Sequence, residues 1–373
     1  MTPTSENELA EAIRSAAGPL RISGGGTRGI GAPVVGETLS ASALSGITLY
    51  EPGALTLVAQ AGTPVAEIEA ALAKENQRLA FEPMDHRTLL GTKGEPTIGG
   101  IVAGNVSGPR RIAVGACRDH ALGVRFVDGA GTVIKNGGRV MKNVTGYDLV
   151  KLLTGSYGTL GVLSEVSLKV LPKPDHEAML ILHGLGPEQA VAAMSAALGS
   201  PYEVTGAAYA AVDGAQVVMI RLEGFEKSVG YRLSAMKDTL AAFGEMSDMA
   251  GAESARAWQD IRDVAGFAAG DGDVWRVSVK PSDAPELTTR MGDDCTVMLD
   301  WGGGLIWVQA PAGTDLRSRL GAFDGHATLI RASLETRAAL SVFQPENPVV
   351  ATLSQGLRAK FDPRGILNPG LMG

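Results

Sequence analysis

The sequence predicts an α+β protein in two parts, followed by a short C-terminal tail. Three observations carry that expectation. Residues 1–174 are punctuated by glycine and other small residues, most densely from Gly91 to Gly161, and close on Pro172-Lys173-Pro174. Residues 175–345 alternate strand-like and helix-like runs, the pattern of helices laid on one face of an antiparallel sheet. Residues 346–373 read as a helix and then a loop that returns to the first part. A chain of 373 residues is too long for one ordinary core.

In chain order, Ser5-Glu6-Asn7-Glu8 reads as a capping box. Leu9, Ala12, Ile13 and Ala16 then recur at helical spacing. Gly18-Pro19 ends that helix, and a short strand, Leu20 to Ser23, runs into a glycine cluster. Strands near Ile47–Tyr50 and Thr56–Gln60 come next. Thr63 reads as the cap of a helix, with Pro64 in its first turn and Val65, Ile68 and Leu72 on its buried face. Ala121–Val127 and Thr132–Ile134 flank the turn Asp128-Gly129-Ala130-Gly131, and Val162–Leu171 forms the last strand before the boundary. Beyond it come a strand at Ala178–Leu182 and a helix at Pro187–Leu198. Two strands within Thr205–Leu222 and a helix at Lys227–Phe243 continue the alternation. A second round then runs through Val274–Val279 and a hairpin at Gly302-Gly303-Gly304. No repeat of 20–50 residues is visible.

Composition excludes several classes. The net charge is −7 and the densest basic run is only Pro109-Arg110-Arg111, so there is no electrostatic footprint for nucleic acid. Cys117 and Cys295 stand far apart, too few to ligate an iron–sulfur cluster and no disulfide framework, in keeping with a reducing cytoplasm. The polar N-terminus lacks a basic region and is not expected to be a signal peptide. No apolar run approaches the ~20 residues of a membrane span, so any attachment to a membrane is expected to go through partners.

The glycine cluster Gly24-Gly25-Gly26-Thr27-Arg28-Gly29 matches G-x-G-x-x-G, and Glu51 lies downstream at a suggestive distance. A dinucleotide-binding βαβ unit would require a helix directly after it. The next residues are Ile30-Gly31-Ala32-Pro33-Val34-Val35-Gly36, a poor helix. The alternative is a tight loop whose backbone N–H groups cradle a pyrophosphate. Three glycines alone would equally suit a plain turn. A second glycine-rich loop, Thr97 to Asn105, and a third, Gly155-Ser156-Tyr157-Gly158-Thr159-Leu160-Gly161, shift the balance toward an extended ligand laid across backbone.

Those loops, together with Gly115-Ala116-Cys117-Arg118-Asp119 and Lys142-Asn143-Val144-Thr145-Gly146-Tyr147-Asp148, occur in the order seen in a known family. The region from about residue 5 to 173 resembles the FAD-binding domain of the p-cresol methylhydroxylase/vanillyl-alcohol oxidase type. The tail Phe361-Asp362-Pro363-Arg364-Gly365-Ile366-Leu367-Asn368-Pro369-Gly370 resembles the C-terminal signature of FAD-linked 2-hydroxy-acid oxidases. Ser107-Gly108-Pro109-Arg110-Arg111, Gly138-Arg139-Val140-Met141-Lys142-Asn143-Val144 and Trp275-Arg276-Val277-Ser278-Val279-Lys280 are most similar to the flavin-binding E subunits of bacterial glycolate oxidases. The resemblance implies FAD as cofactor. It also implies a larger FAD-containing subunit and an iron–sulfur subunit as partners, and glycolate or another small 2-hydroxy acid as substrate. Two alternatives stand beside it: a non-catalytic assembly subunit with structural FAD, and an independent FAD-dependent alcohol or hydroxy-acid dehydrogenase.

By resemblance, Ser23, Gly24, Gly25, Gly26 and Thr27 hold the pyrophosphate. Thr97, Gly99, Gly100 and Asn105 continue that cradle, while Gly158, Gly161 and Val162 lie by the adenosine. Pro83 and Met84 stand near the flavin ring, and Asn368 approaches it from the tail. Covalent members of the family use a histidine in or near the first loop. None is present here, so non-covalent FAD is expected.

Oxidation of a 2-hydroxy acid also needs a base for the hydroxyl proton and a cation for the carboxylate. His176 and His183 have the spacing of the family's metal ligands. A strand between them would put residues seven apart on opposite faces, and no metal is expected. On an alternating strand Arg276 and Lys280 share a face about 13 Å apart, so a small acid can meet one of them. Arg276 is the better candidate, because guanidinium is bidentate; a solvated edge strand would show the same charges. Tyr147, Lys280 and His326 remain conceivable bases, and the catalytic residues stay unassigned.

Overall fold

The computed structural model describes residues 1–139, 146–212 and 214–373. The motif residues Val140 to Thr145 lie outside them. The chain divides into two compact units: Met1–Ser107 with Gly115–Lys173 and Pro345–Gly373, and Gly108–Val114 with Pro174–Gln344. The short segment Gly108–Val114 thus stands with the second unit, where the sequence predicts a contiguous division.

The first unit is itself built in two parts. Its opening helix, Glu6–Ser15, starts at Ser5, whose hydroxyl accepts from the Glu8 N–H. Leu9 and Ile13 are its buried stripe. They pack with Leu20, Leu39, Leu44, Val127 and Val162, and with Ile366 and Leu367 from the tail. Leu20–Ser23 pairs in parallel with Glu37–Ser40. The tail closes onto the same strand, the Leu20 N–H donating to Ile366 C=O and the Asn368 N–H to Leu20 C=O. The second part is a five-stranded antiparallel sheet in the order Ile47–Glu51, Thr56–Gln60, Val162–Lys169, Ala121–Val127, Val133–Gly137. No helix succeeds Gly24–Gly29, so the βαβ reading is excluded.

Two local expectations are corrected. Thr63 does not cap the helix Val65–Ala73; Pro64 holds that position. The Thr63 hydroxyl instead donates to Gln60 C=O and accepts from the Gly46 N–H, fixing the turn before the helix. The run after Thr97 is a short helix, Ile98–Ala103, rather than a loop. Two glycines make it intrinsically poor, and packing supplies the difference: a Cβ on Gly99 would lie 2.6 Å from that of Ala61.

The second unit holds an eight-stranded sheet with all its pairings antiparallel. Its order is Met246–Ala250, His176–His183, Ala215–Gly224, Gly206–Val212, Thr296–Asp300, Leu305–Ala310, Asp273–Val279, Gly325–Arg331. The element order β-α-β-β-α-β occurs twice, from His176 to Ala250 and from Asp273 to Arg331. The halves join where Tyr209 pairs with Leu299. This duplication of topology leaves no repeat visible in the sequence.

Candidate functional site

In the first unit the sequence motifs converge. After Ser23 the backbone turns through Gly24, Gly25 and Gly26. Among the described residues, none accepts a hydrogen bond from the backbone N–H groups of Gly24, Gly25, Gly26 or Thr27. Consecutive unengaged donors in a tight turn form a nest for an anion. The glycines have a second reason to be there. A Cβ on Gly25 would stand 1.6 Å from Glu95 C=O, and one on Gly94 would stand 1.7 Å from Gly25 C=O. The loop therefore lies backbone against backbone on Gly94-Glu95. Gly24 packs on Thr97, whose hydroxyl would be 2.5 Å from a Cβ there.

Thr97 caps its helix, its hydroxyl accepting from the Gly100 N–H. The Ile98 N–H donates to Thr63 C=O and the Gly99 N–H to Ala61 C=O, so these two donors are engaged within the protein. Thr97, Gly99 and Gly100 thus build the wall behind the first loop. Arg28 lies across that wall, its Nη2 donating to Gly100 C=O. Its guanidinium would stand 3.3 Å from a Cβ at Gly100 or at Gly104. Desolvation pulls its pKa down, and neighbouring Tyr157 and Cys117 partly offset this. Arginine nonetheless remains charged, so a cation sits within the glycine motifs beside the nest. Sequence reasoning misses Arg28, although it stands inside the motif, because the signal there is carried by the glycines.

The third loop joins through backbone: the Gly155 N–H donates to Val102 C=O and the Tyr157 N–H to Ala103 C=O. Asn105, in a left-handed conformation, accepts at Oδ1 from the Arg118 N–H. The Ser107 hydroxyl accepts from the Cys117 N–H, which places the Gly115–Asp119 motif in the same cluster. Burial pushes the Cys117 thiol up to about 12, with Arg28 opposing, so it stays protonated at neutral pH and is a poor nucleophile. Gly158 has φ +73° and Gly161 packs on Phe126, while Val162 is buried at the start of its strand.

Pro83 and Met84 are both buried. Just beyond them Arg87 clasps Asp85 through Nε and Nη2 and reaches the Glu95 carboxylate at 3.2 Å. That arginine ties the Pro83-Met84 segment to the backbone against which the first loop rests. Asn368 is buried, with φ +46°. Its Oδ1 accepts from the Ile22 N–H and its Nδ2 donates to Tyr157 C=O, each at 2.8 Å. It staples the strand leading into the first loop to the third loop.

In the second unit His176 and His183 stand at the two ends of one strand. His183 Nε2 lies 2.8 Å from the Ser247 hydroxyl. Among the described residues no group of His, Cys, Asp and Glu is arranged to hold a metal ion. Arg276 lies on the strand Asp273–Val279, half-buried between fully buried Trp275 and Val277. Lys280 falls past the end of that strand and is exposed, ion-paired with Asp324. The two candidates thus differ in kind.

The first unit fits FAD: a run of donors for a pyrophosphate, a nearby guanidinium to balance its charge, and glycines that admit close approach. Residues 1–137 match the FAD binding domain family. The fold and the site together define a flavoprotein oxidoreductase with a p-cresol methylhydroxylase-type FAD domain. Over 95% of its length, and 92% of the relative's, the chain is 37% identical to glycolate oxidase subunit GlcE of Escherichia coli, and it belongs to that family. It is also 32% identical to a D-lactate dehydrogenase of Anaerostipes hadrus, over 44% of this chain and 34% of that one. An alkyldihydroxyacetonephosphate synthase structure shares the fold, with a TM-score of 0.69 at 17% identity, covering 99% of this chain and 75% of that one.

Proposed function

We propose that the chain is the flavin-binding subunit of a multisubunit oxidase or dehydrogenase that converts glycolate, or a closely related small 2-hydroxy acid, to the 2-oxo acid. The observation that carries this reading is the similarity to a glycolate oxidase subunit through nearly the whole chain, both units included. FAD, when bound, supplies the hydride acceptor. The chain's own residues hold it. Gly24 to Thr27 donate to the pyrophosphate, Arg28 balances its charge, and Asn368 fixes the loop's approach. Thr97, Gly99, Gly100 and Asn105 shape the wall, while Gly158, Gly161 and Val162 lie toward the adenosine and Pro83 and Met84 toward the ring. The loop carries no histidine, which favours non-covalent attachment.

The two cysteines supply no cluster ligands among themselves. Electrons are therefore proposed to leave through an iron–sulfur partner, alongside a larger flavin subunit. Among the described residues no helix is long and apolar enough to cross a membrane; a cytoplasmic complex, peripheral at the membrane through its partners, is the arrangement proposed. The test is dye reduction by glycolate with the FAD-loaded chain alone and co-expressed with a larger flavin subunit and an iron–sulfur subunit. Turnover only in the assembled enzyme supports the reading. Full turnover by the isolated chain contradicts the subunit role, and no turnover of any 2-hydroxy acid by the assembly contradicts the substrate class.

A further inference from the structure

We propose that the second unit carries a carboxylate-binding site made by Arg111 and Arg276 on the indole of Trp301, with His326 beside it. This rests on the 2-hydroxy-acid reading and gives it a substrate anchor. Four separate stretches of chain supply the residues. Arg111 comes from the Gly108–Val114 segment, Arg276 from the strand Asp273–Val279, Trp301 from the turn after Asp300, and His326 from the strand Gly325–Arg331. The Arg111 guanidinium carbon lies 4.4 Å from the Trp301 ring centroid and that of Arg276 lies 5.1 Å away. One indole therefore gathers two planar cations, each able to meet a carboxylate through two parallel N–H donors.

The ring that collects them is held from several directions. Trp301 is buried and takes φ +54°, in the left-handed region, before Gly302 and Gly303, which do the same. Non-glycine residues adopt that conformation at a cost and tend to do so at functional sites. The Trp301 N–H donates to the Asp300 carboxylate at 2.6 Å, and its indole Nε1 donates to Gly108 C=O at 3.1 Å. That second bond hangs the Gly108–Val114 segment on the same indole. Arg110 locks the segment further through a buried bidentate pair with Glu223, at 2.8 and 2.7 Å. Arg110 thus serves as the anchor while its neighbour Arg111 is delivered to the ring.

His326 belongs to the same face. It pairs with Ser278, two residues from Arg276 on the adjacent strand. Its residue surface is largely exposed, yet its imidazole is partly desolvated, which lowers its pKa, and Arg276 and Arg111 lower it further. Both arginines therefore reach this imidazole electrostatically. Lys280 and Asp324, already paired with each other, are the charged groups at the next register. In the proposed site the guanidiniums take the carboxylate, and His326, on the same sheet face as Arg276, is the group offered to the oxygen on the adjacent carbon. That chemistry selects 2-hydroxy and 2-oxo acids over plain carboxylic acids.

The test is calorimetric titration of the full, FAD-loaded chain with oxalate, a planar analogue of such acids. Oxalate is expected to bind, and Arg276→Gln and Arg111→Gln each to weaken it roughly tenfold or more. Arg276→Lys is expected to fall between, because it keeps the charge and loses the fork, and Lys280→Gln to bind normally. Wild-type binding is expected to stay level from about pH 8 to about pH 6.5 and to tighten only below that, because desolvation and the two arginines hold His326 below the ordinary imidazole value, and His326→Gln to lose that trend. Retained FAD and an unchanged melt establish that a variant is folded; should Arg276→Gln fail to fold, Arg111→Gln and Arg276→Lys carry the test. No oxalate binding by the wild type, or normal binding by the folded arginine variants, overturns the site. Glycolate turnover by the assembled enzyme is measured separately, so a failed site with intact turnover leaves the proposed function standing.

Discussion

Asn368→Ala is expected to destabilise the first unit and weaken FAD binding together. Asn368 spends both ends of its amide on backbone, accepting from the Ile22 N–H and donating to Tyr157 C=O, at a site that is 4% exposed. Removing a partner from a buried polar group costs about 1–3 kcal/mol, and two groups are stranded here. Alanine also holds a left-handed φ less well than asparagine, by roughly 1 kcal/mol. Allowing for relaxation and entry of water, the loss is about 3 kcal/mol. In a unit of this size that lowers the melting temperature by roughly 6–12 °C. Because Ile22 leads directly into Ser23 and the glycine turn, flavin content is expected to fall with it. The assay is a thermal melt with intrinsic flavin fluorescence as the signal, with Asn368→Gly and Asn368→Asp alongside. Glycine relieves the backbone strain and should recover about 1 kcal/mol relative to alanine. Aspartate keeps the acceptor for Ile22 but turns a carboxylate toward Tyr157 C=O, and should be no better than alanine. A melt of Asn368→Ala within about 2 °C of wild type, with full flavin, would refute the reasoning.

Gly25→Ala forces a Cβ to 1.6 Å from Glu95 C=O, where only backbone can give way. It is expected to cost about 3 kcal/mol and most of the bound FAD. Gly26→Ala meets no atom within 4 Å and loses only what φ +73° costs an alanine, about 1 kcal/mol; equal melts for the two variants would mean the loop is not packed on Glu95. Glu223→Ala leaves the buried Arg110 guanidinium without its bidentate partner, and a loss of about 3–5 kcal/mol from the second unit is expected in denaturant titration. In native protein at about pH 8, Cys117 is expected to resist a thiol reagent until the chain unfolds, because burial keeps it protonated; prompt labelling at Cys117, mapped by mass spectrometry, would contradict this.

Much of the architecture is legible in the sequence because local chemistry and fold agree. Pro33 and the glycines around it argue against a helix after Gly29, and none forms there. Alternation marks the strand from Asp273, where Trp275 and Val277 are buried and Arg276 and Ser278 are less so. The features that escape depend on contacts between distant segments. The helix Ile98–Ala103 carries Gly99 and Gly100 and owes its existence to the Thr97 cap and to packing on Ala61. The glycines of the first loop suggest room for a ligand, whereas Gly25 also makes room for Glu95. Arg111 and Trp301 lie far apart in sequence and become one site only when Gly108–Val114 takes its place in the second unit. The doubled β-α-β-β-α-β order is a likeness of topology, which a period search does not detect.

The central claim, that this chain holds FAD through the glycine nest without a covalent bond, is tested most directly by flavin release. The purified chain is loaded with FAD, freed of excess, denatured with acid, and separated into precipitate and supernatant. Equimolar intact FAD in the supernatant, identified by mass, and a colourless precipitate are expected. Flavin retained on the precipitated protein would contradict the non-covalent attachment, and a chain that takes up no FAD at all would contradict the site itself.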